Sequence, residues 1–170
     1  MCNMTESMNH ILTQCREENT QLIWCLAQNL WPHWNTPWPE IDLGIILGCG
    51  CINVQPNDRE GNNPQQRRKT LQGPTQLLQI IISESAYLIW VLRCERVIQE
   101  KMLTESEIRT RWLWAINKRL TTDKINATMI KRNEGFTKLV VDTWEQALKK
   151  ERELPMNWIN LSEVLVGRTA

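Results

Sequence analysis

The stretch from Gly73 to about Lys101 constrains this 170-residue chain more than any other. Leu77, Leu78, Ile81, Ile82, Ser85, Leu88, Ile89, Leu92 and Arg96 recur at helical spacing. Gly73-Pro74-Thr75 opens the run, and Pro suits a first helical position because no N–H partner is needed there. Each Leu or Ile buried along such a stripe contributes about 1.5–3 kcal/mol. One helix this long and this apolar predicts the centre of a bundle, around which the other elements must pack.

The remaining segments read as its companions. Leu22, Ile23, Leu26, Ala27 and Leu30 define an amphipathic helix from Asn19 to Trp31, ended by Pro32. Ile41–Leu47 is a short apolar stretch between turn formers, read as helix. Thr104-x-x-Glu107 is a capping box that starts a helix with Ile108, Trp112, Ala115, Ile116 and Leu120 on one face. The segment 121–135 is polar and is expected to end at Gly135. A last helix is expected over 137–153, with Leu139, Val140, Thr143, Trp144, Ala147 and Leu148 inward. Trp158, Leu161, Val164 and Leu165 are expected to fold back onto the core. No repeat and no sustained strand-like alternation is present. The predicted class is all-α, an irregular helical bundle around one long central helix. Residues 55–73, almost free of apolar side chains, read as a polar linker between 1–54 and 74–170, two parts that can share one domain.

Charge and cysteine usage narrow the functional classes. Net charge is +1, yet from Arg109 to Lys138 eight basic residues stand against two acidic ones. Arg109, Arg111, Lys118, Arg119, Lys131 and Arg132 are therefore candidates for contact with RNA or DNA phosphates. A solvated helix face followed by a basic loop is the structural alternative. Nine Trp against one Phe and one Tyr fit core rims, stacked bases or protein contacts equally well. The N-terminus lacks a basic region followed by an apolar one, and no run reaches the ~20 apolar residues of a membrane span. The expectation is an intracellular chain with no membrane and no small-molecule substrate. Its cysteines would then be thiols or metal ligands before disulfides.

Two candidate sites follow. Cys2, His10 and Cys15 form C-x7-H-x4-C, suited to tetrahedral zinc but one ligand short of a closed site. It reads either as a truncated zinc knuckle or as a metal-free remnant of one. Cys49-Gly50-Cys51 reads as a turn holding two buried thiols, and Cys94 as core. Catalysis is poorly served. His10 and His33 are the only histidines, and Asp42, Asp58, Asp123 and Asp142 are scattered. No phosphate-binding loop and no nucleophile elbow is encoded. Glu84 and Glu95 read as ion-pair partners of Arg93 or Arg96.

Several blocks carry a resemblance. Met1–Trp24, with Cys2, Glu6, Ser7, His10 and Cys15, resembles the zinc-binding element that follows the ribonuclease H domain in polyproteins of basidiomycete LINE-like retrotransposons. Ile80–Glu100 is similar to the long helix of that family. So are Arg111-Trp112, Ile116–Leu120, the Val141–Leu148 segment with Trp144, and the ending Leu154-Pro155, Trp158 and Val164–Gly167. The first Cys of the family's zinc pattern would lie before Met1, Tyr87 stands where relatives carry His, and the Y-x-D-D polymerase signature is absent. The resemblance implies a non-catalytic terminal region of a reverse transcriptase polyprotein that holds template or supports the fold. The alternative is a structural or protein-docking helical module, with Trp31, Trp34 and Trp38 exposed as its contact patch.

Overall fold

A computed structural model describes residues 6–15, 18–32, 36–55, 71–130 and 134–167. The architecture is all-α, and five α-helices run through the described residues: α1 (Glu18–Leu30), α2 (Leu43–Leu47), α3 (Gln72–Gln99), α4 (Glu105–Met129) and α5 (Glu134–Trp144). A π-helical turn (His10–Gln14) precedes α1, and short 3-10 turns follow α2 and α5. Helix α3 is central, packing against α1, α4, α5 and the π-helical turn. One apolar cluster runs from Leu12 to Val166, so the segments before and after residues 56–70 share a core. The ends of that interval are joined directly: Leu71 N–H donates to Val54 O at 2.9 Å, and Val54 N–H donates to Thr75 Oγ1 at 2.9 Å.

Most of the expected stripe on α3 is inward. Leu77, Leu78, Ile81, Ile82, Ser85, Leu88, Ile89 and Leu92 are all buried. The helix starts at Gln72, within the expected linker, so Pro74 lies inside the first turn rather than at its first position. Gly73 is fixed by close approach. A Cβ there would meet the Asp142 carbonyl carbon and oxygen on α5 at 2.4 Å. The helix ends where Glu100 turns left-handed at φ 53°. Helix α4 begins at the expected capping box, in which Thr104 Oγ1 accepts from Glu107 N–H and Glu107 Oε2 accepts from Thr104 N–H.

Two boundaries differ from the reading of the sequence. The polar segment after Leu120 continues as helix to Met129, because Asp123, Lys124 and Ala127 extend the buried face of α4. Gly135 then lies inside α5 rather than ending a loop. Helix α5 in turn stops at Trp144, well short of residue 153. Gln146 and Lys150 are left-handed at φ 63° and 53°. Ala147 and Leu148 are buried as expected, but against the returning tail: Leu148 bridges Val166, Lys149 N–H donates to Leu165 O, and Gly167 N–H to Ala147 O. The apolar tail competes for these backbone groups and wins them from the helix. Trp158 and Val164 fold back as expected, whereas Leu161 and Leu165 are exposed.

Tryptophan fastens this core at four points. Trp112 Nε1 donates to Ser85 Oγ at 2.9 Å, joining α4 to α3, and Trp144 Nε1 donates to Asp123 Oδ2 at 3.1 Å, joining α5 to α4. Trp24 and Trp31 donate to Leu12 O and Thr36 O. A buried indole needs such an acceptor, since its N–H costs about 1–3 kcal/mol if left unmet. Trp31 is thus buried and Trp38 partly buried, which removes the contact patch expected at Trp31, Trp34 and Trp38; Trp34 lies outside the described residues.

Candidate functional site

The basic residues of α4 do not converge. An α-helix advances about 100° per residue, so Arg109 and Lys118, nine residues apart, project from roughly opposite sides. Acids also answer three of the four, two of them from outside the counted segment. Arg109 Nε donates to Glu105 Oε1 at 2.8 Å. Arg111 forks onto Glu95 of α3, with Nη1–Oε2 at 2.6 Å and Nη2–Oε1 at 2.8 Å. Arg119 Nε lies 3.4 Å from Asp123 Oδ1. Lys118 instead sits over the Trp114 ring, 5.0 Å from its centroid, and Trp114 is largely exposed. Lys131 and Arg132 lie outside the described residues.

Electrostatics follow this geometry. The Arg111 fork holds the Glu95 carboxyl below its ordinary 4.5, and the same fork raises Arg111. The pairing corrects the expected partners Arg93 and Arg96, since Arg93 reaches across to Glu6. Burial pushes Asp123 above its ordinary 3.8, against the opposing pull of Arg119 and the Trp144 indole. Burial likewise lowers Lys124, whose ammonium donates to Leu161 O. Asp123 and Lys124 tie α4 to α5 and to the tail.

The metal-capable residues are not gathered into a site among the described residues, where no group of three or more His, Cys, Asp or Glu side chains is placed to hold an ion. His10 and Cys15 are buried at the two ends of the π-helical turn, with Cys15 N–H donating to His10 O at 2.7 Å; Cys2 lies outside the described residues. Cys49 and Cys51 form a 3-10 turn as read, but Cys51 is exposed rather than buried, because Cys49 alone turns toward the core. Cys94 is half-buried rather than core.

A shallow groove of about 730 Å³ lies between this turn, the N-terminal half of α3 and Arg119. Cys49, Asn53, Gln79, Ser83 and Glu84 line it. Gln79 is occupied with structure, donating to Gly50 O and Ile52 O at 3.3 and 3.1 Å. A thiol, one carboxylate and amides are present, but the lining includes no histidine to activate a nucleophile. The described aspartates serve elsewhere: Asp42 caps α2, Asp123 accepts from Trp144, and Asp142 pairs with Lys138 at 2.6 Å. Among the described residues these carboxylates are not brought together as a two-metal site requires.

A different surface stands out. On α3 the side chains facing away from the bundle are apolar too: Tyr87 is 67% exposed, Trp90 41%, Val97 56% and Ile98 78%. Cys94 lies between them, half-buried. Residues 93 and 95, one step to either side of Cys94, turn about 100° away in opposite directions. There Arg93 meets Glu6 and Glu95 meets Arg111, so an ion pair borders the stripe on each flank. The sequence held the signal, a helix apolar nearly all round, which one buried face does not account for. By length and composition α3 also suffices to cross a membrane, contrary to the reading of its runs alone, since scattered serines and Glu84 are tolerated over so long a helix; more than half of its apolar window is buried inside the fold. That burial assigns its apolar character first to the core.

No protein-family model matches the chain, and no curated protein or solved structure aligns with it significantly.

Proposed function

We propose that this chain is a non-catalytic helical module that works by docking to another protein surface through the outer face of α3. The observation that carries this reading is the Tyr87–Trp90–Val97–Ile98 stripe, apolar, exposed and bordered by ion pairs. An apolar centre with a polar rim is the usual anatomy of a protein contact. The resemblance to the region after ribonuclease H in retrotransposon polyproteins supports the same kind of role, a part that holds its neighbours in place. The test is a photo-crosslinking residue at position 97 in cells, with the exposed Glu145 position as control. A discrete protein adduct at 97 but not at 145 is expected. Indistinguishable labelling at both positions overturns the reading.

A second reading rests on Lys118 and Trp114. An exposed indole beside a cation offers a base-stacking surface next to a phosphate contact. It gives sequence-blind RNA or DNA binding that weakens with salt and on neutralising Arg109, Arg111, Lys118 and Arg119. Absence of binding at low salt removes it. Zinc, if held through Cys2, His10 and Cys15, would add a staple to the N-terminal segment, checked by metal content of the purified protein.

A further inference from the structure

We infer that Cys49-Gly50-Cys51 is a thiol–disulfide exchange site, at which Cys51 takes a sulfur from a small disulfide such as oxidised glutathione and Cys49 resolves it into an intrachain bridge. The site is independent of the docking reading, because it lies against the N-terminal half of α3 rather than on the Tyr87–Ile98 stripe. Two cysteines stand two residues apart in one turn, and both are free thiols. Their surroundings divide the work. Cys51 is exposed and open to a soluble disulfide, whereas Cys49 is half-buried against the core at the wall of the groove. Attack needs access, and resolution needs only a second thiol close by. First, the Cys51 thiolate displaces one glutathione thiolate and keeps the other half as a mixed disulfide. The Cys49 thiolate then attacks the Cys51 sulfur and releases the second glutathione. Two protein thiols are oxidised to one disulfide and one glutathione disulfide is reduced to two thiols, with both protons passing to the leaving thiolates.

The bridge does not fit the turn as it stands. A 3-10 turn advances about 120° per residue, so the Cys49 and Cys51 side chains leave it in different directions. Cysteines whose Cβ vectors point apart join only if the backbone moves. Room for that movement is present. Gly50 is exposed, and a Cβ there would meet nothing within 4 Å, so this part of the chain can swing without striking a neighbour. The bonds that hold the turn lie in the path of the same movement. Cys51 N–H donates to Gly48 O at 2.8 Å and Ile52 N–H to Cys49 O at 3.2 Å. The Gln79 amide donates to Gly50 O at 3.3 Å and to Ile52 O at 3.1 Å. Closure of the bridge pulls these groups out of register and releases Gln79, which lines the groove. Oxidation therefore reshapes the groove from its rim.

The test is the full chain incubated with oxidised glutathione, quenched by alkylation and mapped by peptide mass. The peptide holding Cys49 and Cys51 is expected to lose two hydrogen atoms and to keep no glutathione. Cys25, exposed and with no second cysteine beside it in the sequence, is expected to keep glutathione as a mixed disulfide. In Cys49→Ser, Cys51 is expected to keep it too, and dithiothreitol to remove it. In the bridged chain, hydrogen exchange at the Cys51 and Ile52 amides is expected to rise at least tenfold, with the circular dichroism spectrum unchanged. Glutathione left on Cys51 of the parent chain overturns the proposal. So does a bridge from either thiol to Cys25 or to another chain, or a Cys51 that stays unmodified while Cys25 reacts. A bridge that forms while those amides exchange as before overturns the reshaping of the groove. None of these results touches the docking reading, which stands or falls at position 97.

Discussion

The two faces of α3 are built from the same residue types and do different work. The inner face places Ile81, Ile82 and Ser85 fully out of solvent, with Ser85 accepting from Trp112 of α4. The outer face, within the same 28 residues, leaves Tyr87 and Ile98 mostly in water. The inner face is covered by other elements of the same chain, α1, α4, α5 and the π-helical turn among them. The outer side chains, Tyr87, Trp90, Val97 and Ile98, keep 41% to 78% of their surface in water. Apolar character therefore says that a surface seeks cover, and only the packing of the rest says whether the chain supplies it.

Substitutions on the inner face probe this contrast most strongly. Ile82→Asp buries an unpaired carboxylate where Ile82 has no exposed surface. Its cost exceeds about 5 kcal/mol, comparable to the whole stability of a domain. Loss of the cooperative thermal transition by circular dichroism is expected; a melt resembling the parent would place Ile82 outside the core.

The stripe that makes this outcome foreseeable was legible in the sequence because burial along a helix imposes a period. The capping box at Thr104 and Glu107 was legible for a related reason, since both partners lie within one turn. Contacts across long separations were not. Nothing near Glu95 announces Arg111, sixteen residues on, and nothing near Trp112 announces Ser85. The end of α5 was hidden because Ala147 and Leu148 stay buried in either conformation, so the pattern is the same whether a helix or the returning tail covers them. The basic cluster shows the opposite fault. Helical geometry alone places Arg109 and Lys118 on different sides, and counting charge along the chain had discarded that angle. The outer face of α3 was visible as surplus apolar residues, but only the packed bundle separates surplus from core.

Smaller effects sharpen the comparison. Gly73→Ala drives a methyl group into the Asp142 backbone, so α3 and α5 must separate. A loss of about 1–3 kcal/mol is expected by urea unfolding. Trp112→Phe leaves Ser85 Oγ without its donor in a sealed site and is expected to cost about the same, 1–3 kcal/mol. Thr104→Ala removes the cap of α4 at a cost of about 1 kcal/mol, read from the same curves.

The dependence on pH has a defined sign at each of two carboxylates. Glu95 is held low by Arg111, so it adds stability that is present above pH 4.5 and is lost as pH falls through its lowered folded value. Asp123 is raised by burial, so the folded chain binds more protons than the unfolded one just above pH 3.8, and stability declines there as pH rises. In Asp123→Asn that decline disappears, leaving a curve that only climbs between pH 3 and pH 6. An unchanged profile would show that Asp123 titrates like an exposed acid.

The separation of the two faces is tested most directly by the thermal midpoint of a chain carrying Val97→Ser and Ile98→Ser together, at the exposed positions of the outer face, measured at low protein concentration. Surface changes of this kind stay within roughly 1 kcal/mol, about 3 °C for a chain of this length. A midpoint within that range of the parent is the expected result. A fall of about 10 °C or more would contradict it, and would make the outer face a part of the core.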